Sequence, residues 1–123
     1  STTGSSRKVN AQPAVVDTRL GKLALAHNGN LVNTVKLRDE LVKDSINLVT
    51  TTDSEMIAYA IAQEVGAGLD WLDGAIKAFH RCEGAFSLVV GTPVGIMGVR
   101  DPNGIRPLVI GTIGSNPVRY VLS

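Results

Sequence analysis

Residues 85–99 read AFSLVVGTPVGIMGV, two short apolar runs joined through a Thr-Pro pair. β-Branched and aromatic residues are enriched in strands, and Gly and Pro favour a tight connection between strands. The pattern therefore predicts a β-hairpin, with strands at 85–90 and 95–99.

The pattern of apolar residues differs on the two sides of this hairpin. After it, a turn is predicted at residues 101–104 (DPNG), followed by strands at 107–110 and 119–122. Before it, apolar residues recur at helical spacing and predict three helices, at about 31–42, 53–66 and 69–80. Helices in the first half and antiparallel strands in the second half predict an α+β fold.

The remaining segments are predicted to be mainly extended. A short piece at 14–16 and a strand at 22–27 precede the first helix, and residues 46–50 read as a β-branched return to the core. Asn-Gly is a strong turn signal, so residues 27–30 (HNGN) are predicted to form a sharp turn after the strand.

The bulk composition favours one folded domain. The chain has 123 residues, 44% of them hydrophobic, and a formal net charge of +1 with both signs spread along its length. The Lys and Arg residues are not clustered as they would be in a nucleic-acid-binding protein, and no apolar run approaches the length that spans a bilayer. The single cysteine, Cys82, cannot form an internal disulfide, which favours a reducing cytoplasm. The chain starts at Ser1 without Met and stops within a strand-like run, so we expect it to be part of a longer protein.

The first candidate site is the Asn28-Gly29 pair. A strand that leads into a tight turn can direct backbone N–H groups and an Asn amide at one point, which is what a developing oxyanion requires. The alternative is an ordinary turn with no chemical role.

The second candidate is Asp53, at the start of the second helix. Thr52 or Asp53 is predicted to cap this helix, and Glu55 or Glu64 is predicted to lie on its solvated flank. The alternative is that the Asp53 carboxylate pairs with the ammonium group of an amino-acid substrate.

Other residues are weaker candidates. Two arginines in residues 100–108 flank a Pro- and Gly-containing turn and could bind an anion, although a structural role is favoured. Cys82 has no neighbouring His or metal-ligand spacing and is interpreted as a packing residue, and no metal site is predicted. Ser1 could act as an N-terminal nucleophile, but it begins a polar segment with no strand to fix it.

Taken in order, the motifs resemble the glutaminase domain of the amidophosphoribosyltransferase family, and the resemblance covers essentially the whole chain. The motifs are residues 1–6, 10–13, 25–33, 52–55, 83–88 and 100–108. The resemblance implies a partial four-layer αββα fold of the N-terminal-nucleophile hydrolase type, with largely antiparallel sheets. It implies that residues 1–123 form an incomplete type 2 glutamine amidotransferase domain.

The resemblance also implies roles for the candidate residues. In the family, an N-terminal cysteine attacks the glutamine side-chain amide, and ammonia passes to a phosphoribosyltransferase domain that uses phosphoribosyl pyrophosphate and Mg²⁺. Asn28 and Gly29 match the oxyanion-hole positions, and Asp53 matches the position that binds the α-amino group of glutamine. The whole enzyme is expected to be a cytoplasmic homo-oligomer that makes 5-phosphoribosylamine in purine synthesis and binds neither nucleic acid nor membrane.

The sequence departs from the family pattern, in which the catalytic cysteine lies well upstream of the segment that begins at Ser1 and an Arg and a Tyr come just before the Ser-Thr-Thr-Gly motif; these residues are absent here. Cys82 does not match the nucleophile position, and the phosphoribosyltransferase domain with its Mg²⁺ site is missing, so this chain alone is expected to be inactive and to contain no cofactor. Two alternatives stay open at this point: a non-catalytic interaction module with the same fold, or part of another class II amidotransferase such as glucosamine-phosphate synthase.

Overall fold

The computed structural model describes residues 12–50, 52–100, 108–112 and 118–122, and it describes side chains only up to residue 100. Six strands form one antiparallel sheet whose order follows the chain. The strands are β1 (Ala14–Thr18), β2 (Gly21–Leu31), β3 (Gly84–Thr92), β4 (Gly95–Arg100), β5 (Leu108–Thr112) and β6 (Val118–Leu122). The helices are α1 (Thr34–Lys43), α2 (Asp53–Gly66) and α3 (Trp71–Phe79). The α+β prediction is confirmed.

The hairpin predicted at residues 85–99 is present as β3 and β4. Val90 pairs with Met97, and Thr92 pairs with Gly95 next to the turn. The Thr92 hydroxyl donates to the Gly95 carbonyl at 2.9 Å and accepts from the Val94 N–H at 3.2 Å. The strands predicted at 14–16, 107–110 and 119–122 are also confirmed, as β1, β5 and β6.

The core lies between the sheet and the helices. Alternate residues of β2 and β3 point to the helical side, where Leu25 and its pairing partner Val90 are fully buried. They meet the buried stripe of α2, in which Ile57 and Ile61 are also fully buried. Each such side chain contributes about 1.5–3 kcal/mol through its removal from water. The opposite face of the sheet exposes Val89 and Ile96.

The start of α2 is held by two side chains. Thr52, one of the two residues predicted for this role, is the N-cap, and its hydroxyl accepts from the Glu55 N–H at 3.3 Å. Glu55 is buried, so its predicted place on a solvated flank is wrong. Its carboxylate turns back and accepts from the N–H groups of Val49 and Thr50, at 3.1 and 2.9 Å. These bonds hold residues 46–50 as an irregular segment, where a strand-like return had been predicted.

Some predictions concern parts of the chain that the structure does not describe. The turn at 101–104, Arg106 and Ser1 lie outside the described residues. Within the described part, none of the helices is long and apolar enough to cross a lipid bilayer.

The Glu55 contacts predict a measurable loss of stability in Glu55→Gln. A neutral amide cannot accept both N–H groups as a carboxylate does, and hydrogen bonds to charged groups contribute about 1.5–3 kcal/mol. We expect the free energy of unfolding, measured by urea denaturation, to fall by about 1–3 kcal/mol. Glu83→Gln is the matched control, because Glu83 is exposed, and we expect a change within about 0.5 kcal/mol. Equal effects of the two substitutions would contradict this account of α2.

Candidate functional site

Residues 27–30 do not form a turn, so that prediction is wrong. β2 runs straight through them, with Asn28 opposite Ser87 and Asn30 opposite Ala85 on β3. An Asn-Gly pair closes a hairpin when the residues on its two sides pair with each other. Here both sides belong to one strand, and that strand has β3 as its partner instead.

Gly29 occupies a backbone conformation that favours glycine. Its φ angle is +113°, in the region that L side chains rarely adopt. A Cβ added at this position would overlap the Ala85 carbonyl oxygen and lie 2.9 Å from the Phe86 Cα. Glycine is therefore required for β2 and β3 to approach each other at this point.

The edge of β2 that faces away from β3 is paired with β1 only as far as Leu25. β1 pairs with residues 21–25, and within the described chain no strand covers the same edge from residue 26 to residue 31. We call residues 26–31 of this edge the open edge. Two side chains form hydrogen bonds with this edge in place of a strand. The Gln12 amide bonds the N–H and carbonyl of His27, and the Asp53 carboxylate accepts from the Leu31 N–H at 3.1 Å.

Gly29 lies between these two anchors. In an antiparallel strand, the N–H and carbonyl of alternate residues point to the same edge. His27 and Leu31 both direct their N–H groups to the open edge, whereas Val32 donates towards the β3 side, to the Glu83 carbonyl at 2.8 Å. By this alternation we expect the Gly29 N–H to face the open edge, between the residues to which Gln12 and Asp53 bond.

Asp53 is the first residue of α2 and is only 5% exposed. Its Oδ2 atom accepts from Leu31 and lies 4.0 Å from His27 Nε2. Within the described residues, Oδ1 has no recorded hydrogen-bond partner. Asp53 does not cap its own helix, because Thr52 does so. One carboxylate oxygen therefore supports the strand.

The structure brings Gly29 and Asp53 together, but it places the Asn28 side chain on the other face of the sheet. His27 is buried against the helices. Its neighbour Asn28 therefore projects from the opposite face of the sheet, where it is exposed. There Asn28 lines a shallow depression of about 260 Å³ together with Gln12, Ser87 and Val89. The two sequence motifs thus meet at one place on β2 from opposite sides of the sheet.

His27 is a part of this site that sequence reasoning missed. Its Nδ1 lies 3.2 Å from the Ser54 hydroxyl, and its buried Nε2 has no hydrogen-bond partner among the described residues. Burial lowers the pKa of His27, and the nearby Asp53 carboxylate and Gly29 backbone offset this only partly. The ring is therefore neutral at pH 7, and its contact with Asp53 is not an ion pair. The alternating pattern of Leu23, Leu25 and His27 was the available signal.

Cys82 cannot act as the nucleophile of this site. It is buried, its Sγ lies 3.5 Å from the Ala78 carbonyl oxygen, and burial raises its pKa to about 12. A thiol with that pKa carries almost no thiolate at neutral pH. The interpretation of Cys82 as a packing residue is confirmed. In the described part of the chain, no group of three His, Cys, Asp or Glu side chains has the arrangement to hold a metal ion.

The pattern of the glutamine amidotransferase domain family matches residues 4–119. The chain belongs to this family. An amidophosphoribosyltransferase of Synechocystis sp. is 65% identical over 124 residues, which cover 100% of this chain and 25% of that protein. The human amidophosphoribosyltransferase is 43% identical over 116 residues, covering 91% of this chain and 22% of that protein.

A solved structure supports the fold of this glutamine amidotransferase domain. The glutamine phosphoribosylpyrophosphate amidotransferase from B. subtilis, complexed with ADP and GMP, has a TM-score of 0.74 and 32% identity. The match covers 96% of this chain and 25% of that one. The predicted resemblance and the N-terminal-nucleophile hydrolase fold are therefore confirmed, the described residues forming one sheet with its helical layer. The chain spans about a quarter of the length of the curated relatives it matches.

The lowered pKa of His27 predicts a pH dependence of stability. A histidine titrates near 6.5 when unfolded, so the unfolded chain takes up this proton more readily than the folded one. The contribution of His27 is fully present above pH 6.5 and is lost as pH falls below it. We expect the free energy of unfolding to decline from pH 7 to pH 5, and His27→Gln to decline less steeply. An NMR titration midpoint of the His27 ring above 6.5 would be incompatible with this assignment.

Proposed function

We propose that this chain is part of the glutaminase domain of a glutamine-dependent amidophosphoribosyltransferase. The open edge of β2 would bind glutamine, with Asp53 pairing with its α-ammonium group and Asn28 and Gly29 stabilising the oxyanion. The observation that carries this proposal is the buried Asp53 carboxylate, which reaches the β2 edge on which the Gly29 peptide lies.

The electrostatics of the edge suit an amino acid. Asp53 is buried, and the neutral His27 ring beside it leaves its negative charge without a cationic partner among the described residues. A substrate ammonium would supply that partner, and charge-assisted hydrogen bonds are about twice as strong as neutral ones. The carboxylate thus selects for the amine end of its ligand.

The oxyanion donors suit acyl transfer from an amide. When a nucleophile attacks the side-chain amide of glutamine, the carbonyl oxygen takes on negative charge as the tetrahedral intermediate forms. The Gly29 N–H is fixed in advance by the β2–β3 ladder, so it needs no reorganisation when the charge develops. The Asn28 amide would supply the second donor by turning to the open edge from the exposed face of the sheet, where it lies in this structure. Loss of one such donor costs on the order of 10²–10³ in rate.

The nucleophile would come from outside these 123 residues. The one thiol of the chain, Cys82, is buried and protonated, as its geometry and raised pKa require. We therefore infer that this chain alone releases no ammonia from glutamine and that the longer protein supplies the attacking cysteine.

The remainder of the longer protein would use the ammonia. In the proposed reaction, ammonia displaces pyrophosphate from phosphoribosyl pyrophosphate and gives 5-phosphoribosylamine. Mg²⁺ would be held in that part of the protein. A cytoplasmic homo-oligomer is the expected form. The identity of 65% to an amidophosphoribosyltransferase favours this activity over that of glucosamine-phosphate synthase.

Asp53→Asn tests the proposal in the full-length protein. Asn can still accept from the Leu31 N–H, but it carries no charge for the substrate ammonium. We expect the KM for glutamine to rise at least about tenfold, as loss of a charge-assisted bond implies. Activity with free ammonia in place of glutamine is expected to stay unchanged.

Asp70→Asn is the matched control for this substitution. Asp70 also lies at a helix start, where its carboxylate caps α3 by accepting from the Asp73 N–H at 2.8 Å, but it is exposed. The KM for glutamine should not change in this variant. An unchanged KM in Asp53→Asn as well would reduce Asp53 to a structural residue and refute the proposed site.

A further inference from the structure

The Gln12 side chain takes the place of a strand beside His27. Its Oε1 accepts from the His27 N–H at 2.6 Å, and its Nε2 donates to the His27 carbonyl at 2.9 Å. An amide side chain that makes this pair of bonds reproduces what one backbone residue of a neighbouring strand would offer.

The register places Gln12 where a longer β1 would have continued. Ala14 pairs with Leu25 and Val15 with Ala24, so paired residue numbers add up to 39. Position 12 is therefore the one opposite His27, two residues beyond the last β1 pair. A main-chain strand continuing in this register would cover Gly29 as well. The Gln12 side-chain amide bonds to the His27 backbone alone, and no described residue of the chain pairs with Gly29 on this edge.

The two Gln12 bonds act on the peptide groups next to the proposed donors. The His27 carbonyl belongs to the peptide that joins His27 to Asn28, so fixing it fixes the start of Asn28. The Gly29 N–H follows one peptide later. On the opposite side of His27 in the sheet, β3 holds Asn28 through its pairing with Ser87. This segment is thus held from both edges.

We propose that Gln12 is a positioning residue for glutamine hydrolysis, holding the Asn28-Gly29 segment so that its donors face the developing oxyanion. This inference rests on the proposed function. Both side-chain hydrogen bonds of Gln12 go to the His27 backbone, and through it Gln12 would hold the segment that follows. Loss of Gln12 would weaken the stabilisation of the oxyanion in the transition state. It would leave the pairing of Asp53 with the substrate ammonium group unchanged.

A role of this kind predicts a particular kinetic pattern. Oxyanion donors act mainly in the transition state, so their displacement lowers kcat with little change in KM. A displacement of about 1 Å can cost on the order of 100-fold. Asp53, in contrast, is expected to act on KM. The two residues should therefore be separable by steady-state kinetics of the same protein.

The test uses Gln12→Met in the full-length protein. Met has a similar length and removes both hydrogen bonds. We expect kcat for glutamine-dependent turnover to fall about tenfold or more, with KM for glutamine within about threefold and ammonia-dependent turnover unchanged. Thr92→Val is the matched control, since Thr92 also makes two side-chain bonds to backbone groups of the same sheet, and it should keep wild-type kcat.

Gln12→Glu provides a second variant that keeps a polar side chain. It can still accept from the His27 N–H, but it loses the donor to the His27 carbonyl, so kcat should fall here too. Wild-type kcat in both variants would overturn the inference, and so would an equal loss of ammonia-dependent turnover, which would indicate general unfolding. Glutamine hydrolysis by the wild-type full-length protein is measured before any variant. If the wild type hydrolyses no glutamine, the proposed function itself fails.

Discussion

Every part of this site depends on how the open edge of β2 is satisfied. Backbone N–H and carbonyl groups that leave water need partners, and an uncovered strand edge invites pairing with another chain. β1 covers the edge only as far as Leu25. Beyond that point Gln12 and Asp53 bond to the backbones of His27 and Leu31, and among the described residues no strand pairs with Gly29 on this edge. An edge that is satisfied residue by residue by side chains can keep one position for a ligand.

The same arrangement explains why buried polar groups gather at one corner of an otherwise apolar core. Asp53, Ser54 and Glu55 are all buried at the start of α2, where apolar residues would have packed more simply. Glu55 anchors the segment before the helix, and Ser54 meets the His27 ring. These contacts fix α2 against β2, and that in turn aims the Asp53 carboxylate at the strand. Stability and the proposed binding role therefore share the same residues.

Local sequence signals predicted the local features well. The hairpin of β3 and β4 and the Thr52 cap depend on neighbouring residues, and both were predicted correctly. The Asn28-Gly29 turn was not, because the partner of this segment is a strand that follows three helices later in the chain. Gln12 could not be assigned either, since the pairing of its side chain with His27 follows from where β1 stops. Local sequence signals singled out Asn28, Gly29 and Asp53 as candidates, and the family resemblance implied their roles. Only the coordinates show the edge that joins Gly29 to Asp53.

The central claim is that glutamine binds along the open edge of β2. The most direct measurement is a crystal structure of the full-length protein with an unreactive glutamine analogue. The account predicts the α-ammonium group within about 3 Å of an Asp53 carboxylate oxygen and the side-chain carbonyl oxygen facing the Gly29 N–H. A ligand bound elsewhere, or a Gly29 N–H already bonded to another backbone group, would contradict it.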